Sequence, residues 1–167
     1  FTSCNDKTKR QVQYMPDMYV SVAYEPYGVN TAFANGMDSQ KPAKGSIARG
    51  QVPYDYPDSK LGYEDAKINS KSPLNVYTLN SERGKSLYNI YCISCHGKKG
   101  DGQGYLVKKE KFLGIPNYKD RDITEGSIYH VIMHGINMMG SHASQLTGEE
   151  RWQVVKHVQK LRNDLLK

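Results

Sequence analysis

The spacing of apolar side chains along the chain changes near residue 80. After that point, apolar and aromatic residues recur every three or four positions in three segments, which predicts three helices that each bury one face. The helices should begin at residues that cap helix starts well, which are Asn80 or Ser81, Thr124 and Thr147. We therefore predict an all-α fold for residues 80–167.

Residues 1–79 show neither a helical nor a strand period over more than a few positions. They hold six of the seven prolines and eight of the thirteen tyrosines, and proline disfavours both helix and central strand. We therefore predict a long, mostly irregular N-terminal arm. Free linkers are usually poor in aromatic residues. The tyrosines thus favour an arm that lies along another protein, ahead of a flap over the chain's own helical domain or a free linker.

Composition and charge narrow the possibilities further. Hydrophobic residues make up 38% and the mean hydropathy is -0.70, which is low for a packed globule unless a large cofactor supplies part of the core. No stretch approaches the roughly 20 apolar residues of a membrane-spanning helix. The formal charge is +6, and residues 80–167 carry fourteen Lys and Arg against nine Asp and Glu. Such a surface suits an acidic protein or an anionic lipid, or is simply solvated. We expect no nucleic-acid partner.

The strongest chemical signal is the sequence CISCH at residues 92–96. Two thiols three positions apart can reach the two vinyl groups on one edge of a porphyrin, and His96 then lies beneath the iron. This pattern is typical of c-type haem attachment. A dithiol redox pair or half of a zinc site is the alternative, but no second cysteine pair exists to complete a zinc site. Cys92 and Cys95 are therefore predicted to bind one haem c covalently, with His96 as an iron ligand.

Three glycines follow the motif, at Gly100, Gly102 and Gly104. A dinucleotide-binding turn would need a preceding strand, which the haem motif replaces. We predict a flexible loop that passes close to the haem edge, where side chains would crowd the ring.

The second iron ligand has several candidates, which are Met133, Met138, Met139, His130, His134 and His142. His130 and His134 are four apart on the second predicted helix, where they could share a face as metal ligands but are more often packed or surface residues. Met138 and Met139 follow Gly135 in an irregular stretch that can fold across the other side of the ring. Either methionine could also serve only as packing.

Residues 83–104 and 132–161 resemble the two ends of a class I cytochrome c domain. The resemblance implies that the closing helix packs its aromatic residue, Trp152, across the first helix at Gly84. It also implies that Met139 is the distal ligand of the haem iron, and Met/His ligation suits a high-potential electron carrier.

The distal loop departs from that family at one position. Gly140 stands where proline usually follows the ligand, and this leaves Met138 and His142 as alternatives to Met139.

The N-terminal arm carries a second resemblance. Met15–Tyr27, followed much later by a single haem motif, resembles the monohaem cytochrome c subunit of the quinol-oxidising alternative complex III. This implies a non-enzymatic electron-transfer subunit of a membrane respiratory complex, on the periplasmic face of the bacterial inner membrane. The implied partners are a multihaem and iron–sulfur subunit and a downstream cytochrome or terminal oxidase.

Cys4 is the third cysteine and fits the same family. Residues 1–4 resemble the end of a bacterial lipoprotein signal, although Phe1 stands where leucine is usual. We predict lipidation of Cys4, with a free thiol as the alternative. More than one acyl chain would make the attachment stable.

Two other functions compete with electron transfer. A haem enzyme or gas sensor needs an open or readily displaced distal position, which the two methionines argue against and His142 weakly favours. A mainly structural role, in which the arm staples neighbouring subunits, is compatible with electron transfer.

Overall fold

The computed structural model describes residues 8–9, 14–16, 19–75 and 78–167. The chain forms two compact units, Phe1–Ser46 and Ile47–Lys167. The described residues contain no β-strand, which confirms the all-α prediction. Their helices are α1 (Lys60–Asn69), α2 (Ser81–Tyr91), α3 (Ile93–His96), α4 (Tyr105–Lys108), α5 (Glu125–His134) and α6 (Gly148–Leu166), with a 3₁₀ helix at Tyr118–Asp120. None of them is both long and apolar enough to cross a membrane.

The three predicted helices begin at the predicted caps. The side chain of Asn80 accepts a hydrogen bond from the backbone N–H of Arg83 at the start of α2. Thr124 and Thr147 form capping boxes at the starts of α5 and α6. In each box the threonine side chain accepts a hydrogen bond from the backbone N–H of the third helical residue, whose side chain accepts one from the backbone N–H of the threonine. Because each box satisfies two otherwise unpaired N–H groups, both helix starts are specified locally.

The core lies where α2, α5 and α6 meet. The α2–α6 crossing occurs at Gly84, as predicted, because an added Cβ there would collide with the backbone of Gln153. The ring of Trp152 stacks on Tyr129 of α5, with ring centroids 4.2 Å apart. The buried apolar residues of this cluster are Leu87, Tyr88, Ile128, Tyr129, Ile132, Leu146, Trp152, Val154, Val155 and Val158.

Helix α1 falls within the stretch that was expected to be mostly irregular. Ser59 caps it by accepting from the N–H of Gly62. A Cβ added at Gly126 of α5 would collide with the carbonyl oxygen of Ala66, and the Thr124 hydroxyl donates to the carbonyl of Lys67 at 2.7 Å. Helix α1 therefore belongs to the same compact unit as the CISCH motif. The division at residue 80 into an arm and a self-sufficient domain concerns independent folding and stays a prediction.

The first unit is held by turns and polar bonds. The amide of Asn30 donates to the carboxylate of Asp38 at 2.6 Å, and Val29 and Met37 form an isolated antiparallel bridge. No helix occurs among the described residues of this unit, as predicted for an irregular arm. Several large apolar side chains are exposed, namely Tyr14, Met15, Tyr19, Val20, Val22, Tyr24, Tyr27 and Val29.

Candidate functional site

The CISCH residues occupy the junction between α2 and α3. Cys92 ends α2, where its N–H donates to the carbonyl of Tyr88 at 2.9 Å. The chain then makes one more helical turn, in which the N–H of His96 donates to the carbonyl of Cys92 at 3.0 Å. Residues three apart on a helix lie on one side of it, so this turn presents Cys92 and Cys95 together, with His96 directly following.

Burial determines the protonation of this site. It raises the pKa of Cys92 to about 12, and the neighbouring Cys95 adds to the shift, so Cys92 is a thiol at neutral pH. Burial also lowers the pKa of His96, and the charge of His142 lowers it further. His96 is thus a neutral imidazole, which is the form that binds a metal ion.

His96 is not a core histidine held by hydrogen bonds. Its Nδ1 atom is buried and has no hydrogen-bond partner among the residues that the structure describes. A buried polar atom of this kind is costly unless the residue has another role. A neutral imidazole beside two thiols offers one iron ligand and two groups that can form thioether bonds, which is what a covalently attached haem requires, so the residues present fit this cofactor.

The glycine loop packs against the motif's own backbone. The N–H of Gly104 donates to the carbonyl of Cys95 at 3.1 Å, and that of Gly102 donates to the carbonyl of His96 at 3.0 Å. A Cβ at Gly104 would collide with the carbonyl oxygens of Ser94 and Cys95. This close backbone contact gives the glycines a structural reason of their own, which differs from the predicted crowding of the haem edge.

The distal candidates lie in a loop that is tied at several points. Ile136 and Met139 exchange two backbone hydrogen bonds of 2.9 Å, with Asn137 in the left-handed region at φ 52°. Met139 is half-buried, whereas Met138 is 67% exposed. The loop is anchored to the end of α5 because the N–H of His142 donates to the carbonyl of Ile132 at 2.9 Å. The half-buried side chain favours Met139 over Met138, and its role as ligand stays a prediction.

His142 also lies near the motif. Its charge affects the pKa of His96, and its ring meets Tyr91 of α2 edge-on at 6.2 Å. Its Nδ1 lies 3.0 Å from the carbonyl oxygen of Gly140. This arrangement keeps His142 as an alternative distal ligand.

The remaining candidates are engaged elsewhere. The sulfur of Met133 contacts the guanidinium of Arg151, which is itself buried and lies over the ring of Tyr129. His130 is buried with Nδ1 3.3 Å from the hydroxyl of Tyr54.

The last of these candidates, His134, points its Nε2 to the carbonyl oxygen of Tyr56 at 3.0 Å. It therefore binds the segment that precedes α1, as does His130. Cys4 lies outside the described residues.

Sequence reasoning missed two tyrosines at the site. The ring of Tyr118 stacks on the imidazole of His96, with centroids 5.1 Å apart and planes inclined by 26°. Tyr88 is fully buried, and its hydroxyl donates to the carbonyl of Gly97 at 2.8 Å. Tyr118 begins the short 3₁₀ helix within the segment that was predicted to be a loop, where no periodic pattern could have indicated its position.

Comparisons with known proteins agree with this geometry. Residues 80–158 match the family described as Cytochrome C oxidase, cbb3-type, subunit III, which is just under half of the chain. That part of the chain is thus similar to a cytochrome c domain, which supports haem-mediated electron transfer. Among curated proteins, none matches the sequence.

One solved structure that the chain matches is a reducing HAO-like protein complex of Kuenenia stuttgartiensis. It is 22% identical, with a TM-score of 0.46, over 58% of this chain and 54% of that chain. This chain therefore spans about half the length of the chain that it matches.

Proposed function

We propose that this protein is a one-electron carrier that holds one haem c through Cys92 and Cys95, with His96 and Met139 as axial ligands. The observation that carries the proposal is the helical turn at residues 92–96, which combines two thiols three positions apart with a half-buried, neutral imidazole. The similarity of residues 80–158 to a cytochrome c domain supports it. When bound, haem c supplies a reversible one-electron couple of its iron.

The residues around the motif serve to keep the ligands in place. His96 follows the capped helix α2, which buries Leu87 and Tyr88 and crosses α6 closely at Gly84. The glycine loop closes over the motif's backbone through Gly102 and Gly104. A site on rigid elements changes little in geometry between two oxidation states, which favours fast electron transfer.

The tied distal loop favours a carrier over a sensor. Two backbone hydrogen bonds between Ile136 and Met139, and a third from His142 to Ile132, restrict the loop that carries the proposed ligand. A haem sensor or small haem enzyme would need this ligand to leave readily. The second candidate function rests on the proximity of His142 to His96, because a polar imidazole on the distal side could assist a bound gas.

We further propose that the carrier is a subunit of a membrane quinol-oxidising complex like alternative complex III. It would take electrons from a multihaem or iron–sulfur subunit and deliver them to a cytochrome or terminal oxidase. The exposed tyrosines and valines of the first unit support this, since large exposed apolar surfaces commonly mark protein contacts. The proposed location is the periplasmic face of the bacterial inner membrane, with a lipid on Cys4.

Mass spectrometry tests the cofactor assignment directly. The chain, expressed with haem-attachment machinery, should retain one haem after acid–acetone extraction. A Cys92→Ala and Cys95→Ala double variant should retain none, while a control variant at the exposed Ser144 should behave like the parent. A haem that washes out of the parent protein would disprove covalent attachment.

Spectra in both oxidation states, with and without carbon monoxide, separate the two candidate functions. A carrier with a firmly bound distal ligand should show no change when carbon monoxide is added to the reduced protein. Rapid binding of the gas would favour the sensor.

A further inference from the structure

The imidazole of His96 is oriented by an aromatic neighbour. Tyr118 lies nearly parallel to it, with ring centroids 5.1 Å apart and planes at 26°. Gly100 of the glycine loop holds Tyr118 in place. The N–H of Tyr118 donates to the carbonyl of Gly100 at 3.0 Å, and the Tyr118 ring lies so close that a Cβ at Gly100 would collide with it. The stacked pair therefore has little freedom on the side facing the glycine loop.

A second tyrosine lies at the hydroxyl end of Tyr118. The hydroxyl groups of Tyr118 and Tyr88 lie close enough for each to affect the pKa of the other. Because Tyr88 donates its own proton to the carbonyl of Gly97 at 2.8 Å, its oxygen is left to accept a hydrogen bond from Tyr118. Gly97 directly follows His96, so the chain of contacts that starts at the His96 ring returns to the backbone beside it.

Histidines that bind metals are usually oriented in another way. Their second ring nitrogen ordinarily donates to a carbonyl, a carboxylate or a water molecule, which sets the plane of the ring. In this protein the Nδ1 of His96 is buried without such a partner among the described residues. The contact that the structure does give this imidazole is the stacked ring of Tyr118.

We propose that Tyr118 is a positioning residue that sets the plane of the His96 ring, and that Tyr88 anchors Tyr118. This proposal rests on the proposed function of His96 as an iron ligand. Aromatic stacking restricts rotation of the imidazole about its bond to the backbone, and the hydroxyl bond keeps the tyrosine ring from swinging away. Loss of either contact leaves His96 bound but less constrained.

Variants of the holoprotein distinguish the effect of the ring stacking between Tyr118 and His96 from the effect of the hydroxyl bond between Tyr118 and Tyr88. Tyr118→Leu removes the aromatic plane, Tyr118→Phe keeps the plane and removes the hydroxyl, and Tyr88→Phe removes the anchor. Tyr105→Leu is the matched control, since Tyr105 at the start of α4 is 67% exposed. Mass spectrometry first verifies covalent haem in each variant, so that a failure of the proposed function is recognised independently.

Two measurements report on His96. Electron paramagnetic resonance of the ferric protein reports the orientation of the axial imidazole. In a Met139→Ala background that binds carbon monoxide, the rate at which the absorbance of the reduced carbon monoxide complex changes after a jump to acid reports the loss of His96, because carbon monoxide is not protonated.

Tyr118→Leu should shift the resonance and accelerate the loss of His96 by roughly two- to tenfold, the factor that an aromatic pair typically contributes. Tyr118→Phe should keep the parent resonance. Tyr88→Phe should accelerate the loss by a factor of roughly two or more, as expected for one hydrogen bond. The control should match the parent in both measurements.

Three results would overturn the proposal. The first is a Tyr118→Leu variant with the parent's resonance and rate, and the second is a Tyr118→Phe variant that shifts the resonance as far as Tyr118→Leu. The third is a Tyr88→Phe variant that loses His96 at the parent's rate. This variant leaves the packed volume almost unchanged, so it still tests the proposal if Tyr118→Leu fails to yield holoprotein.

Discussion

The crossing of α2 and α6 allows a sharp test of the scaffold behind the site. A Cβ added at Gly84 would lie 2.8 Å from the carbonyl carbon of Gln153 and closer still to its oxygen. These are backbone atoms in the first turns of a capped helix, so they cannot rotate away as a side chain would. The two helices must instead separate, and we expect Gly84→Ala to destabilise the holoprotein.

The expected size follows from two opposing effects. Alanine favours a helix interior over glycine by about 1 kcal/mol, whereas overpacking a well-packed contact typically costs about 1–3 kcal/mol. The contact at Gly84 is with backbone, and separation would loosen the fully buried Tyr88 and Val155, which places the cost at the upper end. The net loss should be about 1–2 kcal/mol of the free energy of unfolding, against about 5–15 kcal/mol for a typical protein.

Urea unfolding of the holoprotein, followed by far-ultraviolet circular dichroism and by haem absorbance, measures this loss. Gly148→Ala is the matched control, because a Cβ at Gly148 in the first turn of α6 would meet only ordinary contacts, the nearest 3.7 Å away at the hydroxyl of Tyr129. The control should unfold at the same or a higher urea concentration than the parent. A Gly84→Ala variant as stable as this control would refute the close crossing.

Three further predictions concern the distal ligand, acid stability and the domain limits. Met139→Ala should abolish the far-red sulfur-to-iron band and admit carbon monoxide, and an unchanged spectrum would transfer the role to another residue of the loop. Burial lowers the pKa of His130 below its ordinary value of 6.5. The contribution of His130 to stability should therefore be constant above that pH and fall as the pH drops from there through the lowered pKa. His130→Gln should reduce this slope in pH-dependent unfolding, although His157 contributes another part of it through its own lowered pKa. Residues 80–167, expressed alone, should give a reducible cytochrome that fails to join the membrane complex. If this fragment is unfolded while a fragment of residues 47–167 is folded, α1 belongs to the haem domain.

Helix α1 illustrates why part of the fold could not be predicted. Only Gly62 and Ala66 of its residues are buried, so the helix has no apolar stripe that a periodic pattern could reveal. Its stability comes from close backbone contact with α5, at Ala66 and Gly126, and from the hydroxyl of Thr124. A close contact between two backbones requires only a small residue at the contact point. Small residues occur in sequences for many other reasons, so they do not predict such a contact.

The proposed ligands show the same limit. His96 could be predicted because the two thiols and the imidazole lie within five consecutive residues, where helical geometry alone decides their relation. The distal ligand could not be reduced to one residue, because its position depends on how the loop after Gly135 returns across the site. The half-burial of Met139 and the anchoring of His142 to Ile132 arise only in the folded chain.

By itself, the sequence determined the features whose causes are local. The starts of α2, α5 and α6 follow from caps within a few residues, and the haem motif follows from the spacing of Cys92 and Cys95. The tertiary structure alone decided which distant side chains meet. Tyr118 reaches His96 across the glycine loop, and Tyr54 reaches His130 from 76 positions away. Such pairs depend on the packing of whole helices, because no local period or cap relates residues so far apart in the chain.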